Sequence, residues 1–156
     1  MNPGIKYLLD TNVLAALRGA VNGKPPKDPV RVQQLNQIKE KLKSVPASEV
    51  AMSPITLGEL RTWVEKHAQR EKAEALLAKL LQQVRCVGLD GALPAQASWP
   101  EHYGKVRAVL ETQGTPIGNN DAWIAAHALS LDATVVTNNT REFNRVPQLR
   151  VEDWIA

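Results

Sequence analysis

Short apolar runs, each ending at a polar or turn-forming residue, recur along the chain and have the length of buried β-strands. We predict five strands on this basis, over residues 5–9, 49–52, 85–89, 133–137 and 149–151. Between them, apolar residues recur every three or four positions, which predicts amphipathic helices. Strands that alternate with helices indicate the α/β class, with a mostly parallel central sheet of about five strands flanked by helices.

The same periodicity predicts where the helices lie. Six are expected, over residues 11–18, 32–45, 54–64, 73–84, 94–111 and 121–130. The first breaks at Gly19, and the second stops near Pro46 because proline cannot continue a helix. Pro100 is a candidate break within the fifth helix, and Asn119 or Asn120 is a candidate N-cap of the sixth.

The composition is that of one ordinary globular domain spanning residues 1–156. Apolar residues make up 44% and charged residues 22% of the chain, close to the globular average. The start lacks the pattern of a signal peptide, and no apolar run approaches the roughly 20 residues that span a bilayer, so we expect a soluble cytoplasmic protein. The single cysteine, Cys86, cannot form an internal disulfide, and we expect it to be a small buried hydrophobe on a strand.

Basic residues cluster in one part of a chain whose net charge is only +3. From Arg18 to Lys43 there are seven lysines and arginines but only two acids, Asp28 and Glu40. Such a cluster suits a phosphate backbone. A solvated helix face explains the same charges, and this simpler interpretation is slightly favoured when the cluster is considered alone.

Four acids follow from the predicted topology, because ligands of an open α/β sheet bind outside the carboxyl ends of its strands. Asp10 ends the first strand, Glu59 lies about one helical turn beyond the second, and Glu142 closely follows the fourth. Asp121 opens the helix that leads into the fourth strand, so topology alone places it less firmly. Each acid also has a simpler explanation as a helix cap, a first-turn acid or a solvated side chain. These simpler explanations fit Asp10 least well, since it directly follows an apolar strand, where burial of a charge costs free energy.

Clustered carboxylates are the chemical reason to expect a metal ion. Two of them about 4 Å apart repel by roughly 4 kcal/mol at an effective dielectric of 20, and a divalent cation removes this penalty. Hard oxygen ligands select Mg²⁺ or Mn²⁺, which can activate water and neutralise charge on a phosphoryl group. The three histidines do not fit this site by spacing, and we expect structural or surface roles for His67, His102 and His127.

Four sequence blocks, taken in order, resemble the signature of PIN-domain ribonucleases, and most closely that of the VapC toxins of bacterial toxin–antitoxin pairs. They are residues 8–12 (LLDTN), 53–60 (SPITLGEL), 118–128 (GNNDAWIAAHA) and 135–143 (VVTNNTREF). The ending at residues 146–154 (VPQLRVEDW) is also similar to that group. The resemblance runs nearly end to end, and it implies the PIN-like three-layer α/β sandwich.

The resemblance also implies roles for particular residues. The metal-binding and catalytic acids of the family are matched by Asp10, Glu59 and Asp121. The polar positions that support them are matched by Thr11, Asn12 and Thr137. Many relatives have an aspartate shortly after the last core strand, where this chain has Asn138. Similarity to a subgroup with a Thr-Arg-Glu-Phe sequence assigns the fourth acid to Glu142, with Asn138 as a possible neutral contributor.

The function implied is endonucleolytic cleavage of RNA, often structured RNA such as tRNA, with Mg²⁺ or with Mn²⁺ in its place. Family members commonly form homodimers and are silenced by a small antitoxin. The Pro- and Lys-rich residues 21–29 could contact RNA or antitoxin, or could be only a flexible connection. Two other interpretations stay open: a non-catalytic RNA-binding or adaptor domain, and a phosphatase with an Asp10 nucleophile. The phosphatase is disfavoured because the position two residues later holds Asn12 rather than a second acid.

Overall fold

The computed structural model describes residues 4–20, 27–89 and 97–155. Its strands are β1 (Tyr7–Leu9), β2 (Val50–Met52), β3 (Arg85–Cys86), β4 (Thr134–Val136) and β5 (Val151–Glu152). The helices of the described residues are α1 (Thr11–Ala20), α2 (Pro29–Ser44), α3 (Pro54–Lys66), α4 (Arg70–Gln83), α5 (Trp99–Thr112), α6 (Asn119–Leu131) and α7 (Thr140–Phe143). A single 3₁₀ turn, Ala47–Glu49, precedes β2.

The five strands form one parallel sheet in the order β3-β2-β1-β4-β5. β1 is central, and its Leu8 pairs with Ala51 of β2 and Val135 of β4. The predicted α/β class and the five parallel strands are therefore confirmed. Because β1 and β4 each have a strand on both sides, their carboxyl ends meet near the middle of one sheet edge.

Two hydrophobic cores lie on the two faces of the sheet. Successive residues of a strand point to opposite faces, so Leu8 and Leu9, both fully buried, enter different cores. Leu9 packs with apolar residues of α1, α2, α3 and α4, whereas Leu8 packs with those of α5 and α6. Burial on both faces explains why the strands are continuous apolar runs rather than alternating ones.

Four helix starts differ from the sequence predictions. Helix α4 begins at Arg70 rather than at residue 73, and the other three differ for local reasons. Helix α5 begins at Trp99 rather than at residue 94, which lies outside the described residues. Pro100 sits in its first turn, where an amide hydrogen is not needed, so the prediction of a break there is wrong. Helix α6 begins at Asn119 after Gly118, and no side chain caps it, so neither predicted asparagine cap forms. Helix α2 begins three residues early, at Pro29, because the Asp28 carboxylate accepts a hydrogen bond from the Val30 amide at 3.0 Å.

The outer strands are also displaced from their predicted bounds. β3 ends at Cys86 rather than at residue 89, although the Val87 amide still donates to the Met52 carbonyl at 3.0 Å. β5 begins at Val151 rather than at residue 149, because Gln148 has a positive φ of 67° and turns the chain there. Cys86 lies on β3 but is only half-buried, so the expectation of a fully buried cysteine is wrong.

Two further expectations concern the surface. Residues 21–26 of the predicted Pro- and Lys-rich connection, including Lys24, lie outside the described residues. Among the helices that the structure describes, none is long and apolar enough to cross a membrane.

Candidate active site

Asp10 lies at the carboxyl end of β1 and is only 3% exposed. Its amide donates to the Val136 carbonyl at 2.9 Å, which fixes it between the ends of β1 and β4. One carboxylate oxygen accepts from the Thr11 amide at 2.7 Å, and the other accepts from the Thr137 hydroxyl at 2.8 Å. Burial raises the pKa of Asp10, while these two hydrogen bonds act in the opposite direction. Asp10 also begins α1, since its carbonyl accepts from the Leu14 amide, but the bond to Thr137 goes beyond a capping role.

Glu59 joins this edge from α3. Ser53 caps that helix, its hydroxyl accepting from the Ile55 amide at 3.2 Å, so Glu59 lies in the second turn beyond the end of β2. The Thr11 hydroxyl donates to the Glu59 carboxylate at 2.6 Å. This contact joins the first turn of α1 to α3 and holds Glu59 close enough to Asp10 for the two charges to repel.

Asp121 and Glu142 share a hydrogen bond between their carboxyl groups. Burial, the bond to Glu142 and repulsion from Asp10, Glu142 and Glu59 raise the pKa of Asp121 to about 7. The bond from Asp121, with a second from Asn139, lowers the pKa of Glu142. Below about pH 7 the pair therefore holds one proton, with Asp121 as the donor to Glu142.

The structure therefore gathers the four acids that sequence topology selected. Asp121 reaches this edge because α6 runs back along the sheet before β4, so that its first turn lies where the strands end. The roles of the four as metal ligands or catalysts stay predictions. Among the described residues, no three histidine, cysteine, aspartate or glutamate side chains converge as a ready metal site. Each acid is instead satisfied by protein, either by a threonine or by its partner carboxyl.

Asn139 is a part of the site that sequence reasoning missed. Its amide donates to the Thr137 hydroxyl oxygen at 2.9 Å, and its side chain donates to Glu142 at 3.0 Å. It therefore links the residue that holds Asp10 to the fourth acid. The sequence shows two consecutive asparagines after a buried strand, but only the conformation of the turn after β4 determines which of them contacts Glu142. Asn138 points elsewhere and accepts a bond of 3.3 Å from the side chain of Asn12 on the exposed surface.

The histidines stay apart from this cluster, as expected from their spacing. His127 is fully buried, and its Nε2 lies 3.1 Å from the Gly88 carbonyl. His67 ends α3 and packs edge-on against Trp63. In residues 4–20, 27–89 and 97–155, no hydrogen bond joins His67, His102 or His127 to any of the four acids.

Comparison with known proteins agrees with this fold. A family model described as the PIN domain matches residues 7–149, which defines the class. Ribonuclease VapC1 of Haemophilus influenzae (strain R2866) is 34% identical over 148 residues, covering 95% of this chain and 97% of that protein. The tRNA(fMet)-specific endonuclease VapC of Salmonella typhimurium is 35% identical over 150 residues, covering 96% and 98%. The chain therefore belongs to the VapC ribonucleases of the PIN-domain family.

Solved structures lead to the same family. VapBC2 from Rickettsia felis, bound to a DNA fragment from its promoter, superposes with a TM-score of 0.76 at 31% identity and covers 95% of this chain and 98% of that one. DNA-bound VapBC from Salmonella typhimurium gives a TM-score of 0.75 at 33% identity, covering 96% and 98%. The resemblance inferred from the four sequence blocks is confirmed.

Proposed function

We propose that this chain is an RNA-cleaving endonuclease, the toxin of a toxin–antitoxin pair, whose reaction takes place at the edge formed by Asp10, Glu59, Asp121 and Glu142. The observation that carries the proposal is the convergence of four carboxylates at one sheet edge, where Thr137 holds Asp10, Thr11 holds Glu59, and Asp121 bonds Glu142. The raised pKa of Asp121 agrees with this crowding. Strongly perturbed acids at the end of a sheet are typical of active sites. The names of the relatives, ribonuclease and tRNA(fMet)-specific endonuclease, favour RNA, with tRNA as the first substrate to test.

We further propose that the four acids hold Mg²⁺, for which Mn²⁺ can substitute. The donor set fits this ion because it is made of carboxylate oxygens alone. Binding would require the Asp121–Glu142 pair to lose its shared proton and turn toward Asp10, since these side chains are now satisfied by one another. When bound, the ion supplies neutralisation of phosphoryl charge and makes water more acidic.

The chain's own residues perform the remaining steps in this mechanism. Thr137 and the Thr11 amide fix the two Asp10 oxygens, so that this carboxylate does not need to be reorganised when substrate arrives. Asp121 or Glu142 would accept a proton from the attacking water once the pair has lost the proton that it shares. Hydrolysis by water leaves a 5′-phosphate and a 3′-hydroxyl on the two RNA fragments.

Two partners belong to the same proposal. The solved relatives are VapBC complexes, which favours a small antitoxin as the protein that binds and silences this chain. A homodimer is proposed from the family resemblance.

The test is cleavage of a bulk tRNA preparation by the purified protein in Mg²⁺, in Mn²⁺ and in EDTA. Asp121→Asn is compared with Asp132→Asn, which makes the same charge change at the other end of α6. Asp132 has a positive φ of 52°, a conformation that asparagine also adopts readily. We expect discrete fragments that disappear with EDTA or Asp121→Asn but persist with Asp132→Asn.

The other outcomes are equally informative. Activity of Asp121→Asn within a few-fold of wild type would contradict the assignment of that acid. A 2′,3′-cyclic phosphate on the fragments would mean that the RNA's own 2′-hydroxyl attacks, and would refute hydrolysis by water. Salt-sensitive RNA binding without any cleavage would favour a non-catalytic RNA-binding domain instead.

A further inference from the structure

Arg18, near the end of α1, rests on the side chain of Trp63 in α3. The guanidinium carbon lies 3.8 Å from the centre of the indole ring, and both residues are partly exposed. Among the described residues, no carboxylate or carbonyl accepts a hydrogen bond from Arg18. Most other arginines have such a partner: Arg61, Arg70, Arg107 and Arg150 each pair with an acid. Within the part of the chain that the structure describes, Arg18 is therefore a cation held in place by an aromatic ring, with no acceptor for its N–H groups.

The stack lies on the same strip of surface as the acids. Trp63 is four residues after Glu59 on α3, so it lies on nearly the same helix face and about 6 Å further along the axis. Arg18 is seven residues after Thr11 on α1, again on the same face and about 10 Å further along. The Thr11–Glu59 hydrogen bond joins the two helices at the acidic end of the strip, and the Arg18–Trp63 contact joins them at the other end.

We propose that Arg18, held flat on Trp63, binds a backbone phosphate of the RNA substrate one or two nucleotides away from the bond that is cut. The proposal rests on the proposed RNA cleavage. A guanidinium stacked on an aromatic ring keeps its N–H edge free, and that edge matches two phosphate oxygens at once. The four carboxylates repel the phosphates of RNA at the sheet edge. A fixed cation beside them would attract a neighbouring phosphate and so offset part of this repulsion.

Arg18→Gln tests the charge, Trp63→Leu tests the ring, and Arg150→Gln is the matched control. Arg150 pairs with exposed Asp132 at 3.0 Å and precedes β5, so it lies at the opposite end of the strands. For tRNA cleavage by the full chain, we expect Arg18→Gln to raise KM roughly three- to tenfold with kcat within twofold, as loss of one phosphate contact predicts. Its salt dependence, log(kcat/KM) against log[salt], should become shallower by about 0.7 to 0.9.

Trp63→Leu separates positioning from charge. It leaves the guanidinium in the chain but removes its platform, so KM should rise while the salt slope stays near the wild-type value. Arg18→Lys should recover the slope but only part of the KM, because an ammonium group cannot make the two parallel bonds. Arg150→Gln should leave both quantities unchanged.

Several results would overturn the inference. Wild-type cleavage with unchanged KM and slope in Arg18→Gln would remove Arg18 from the RNA interface while leaving the proposed function intact. A fall in kcat without a change in KM would assign it to the folding or ordering of the site. Weaker binding of the antitoxin with unaltered tRNA kinetics would assign the stack to the protein partner. If the wild-type chain neither cleaves nor binds RNA, the proposed function and this inference fail together.

Discussion

Asp121 interacts with all three other acids of the edge, so its replacement by asparagine relieves repulsion while it removes a carboxylate. An amide has nearly the same shape and can still donate a hydrogen bond to Glu142. We expect Asp121→Asn to be more stable than wild type in the absence of divalent cations and nearly inactive in their presence. Stability and activity would then move in opposite directions at one residue, as expected where an active site holds like charges together.

The size of the stability gain follows from the pKa of Asp121, which rises from 3.8 to about 7 on folding. One pH unit of difference corresponds to about 1.4 kcal/mol, which bounds the effect at about 4 kcal/mol. Because the carboxyl is partly exposed and the pKa of Glu142 moves in the opposite direction, solvent screening and compensation reduce this to about 1–2 kcal/mol. For a chain of this length, that corresponds to about 2–8 °C in the melting temperature.

The pH dependence has a definite sign. A raised pKa means that the folded chain binds more protons at Asp121 than the unfolded chain between pH 4 and pH 7. The free energy of unfolding of wild type therefore falls as the pH rises through this window. The asparagine variant does not titrate at this position, so its advantage should be largest at pH 8 and should shrink toward pH 4.

Thermal unfolding in EDTA from pH 4 to pH 8 measures the effect. Asp132→Asn is the control for loss of a carboxylate outside the edge, and it also removes the exposed ion pair with Arg150. Addition of Mg²⁺ at pH 8 should raise the melting temperature of wild type and of the control more than that of Asp121→Asn. A variant that melts at or below the wild-type temperature at pH 8 in EDTA would refute the argument from crowding. An equal Mg²⁺-induced rise in all three proteins would refute a role for Asp121 in holding the ion.

Three further substitutions test other parts of the structure. Thr11→Val removes the hydroxyl that donates to Glu59 at 2.6 Å, so kcat on tRNA should fall at least about tenfold. The free energy of unfolding in urea should fall by only about 1 kcal/mol. Unchanged kcat would show that this contact does not position the acid. Phe143→Ala empties a fully buried site and should cost about 3–5 kcal/mol in the same assay, so a loss below about 1 kcal/mol would contradict its place in the core. Ser53→Ala removes the cap on the Ile55 amide and should cost about 1 kcal/mol with little change in kcat; a tenfold loss of kcat would show that this helix start also orders the site.

Much of the fold could be predicted because the residue pattern of β1 indicates that this strand is buried. Leu8 and Leu9 are adjacent and fully buried, and a short apolar run that ends at a polar residue is typical of a strand buried on both faces. The ends of outer strands were less predictable, since β5 is displaced by the backbone conformation of Gln148.

The candidate site also has residues that the sequence predicted and one that it did not. Asp10 and Glu59 were selected because each follows a strand that the apolar pattern revealed. Topology alone placed Asp121 less firmly, and the path of α6 along the sheet brings it to the same edge. Asn139 could not be distinguished from Asn138 in advance, because only the turn after β4 decides which amide faces Glu142.

The contacts that hold the acids join parts of the chain that are made at very different times during translation. Thr11 and Glu59 are 48 residues apart, and Asp10 and Thr137 are 127 residues apart. A ribosome that has synthesised the first hundred residues has therefore produced neither the hydroxyl that fixes Asp10 nor two of the four acids. Because the proposed cleavage needs all four acids, we expect a nascent chain of this length not to cut the RNA around it. Full assembly of the edge has to wait for nearly complete synthesis, so the proposed antitoxin is needed only after elongation is almost finished.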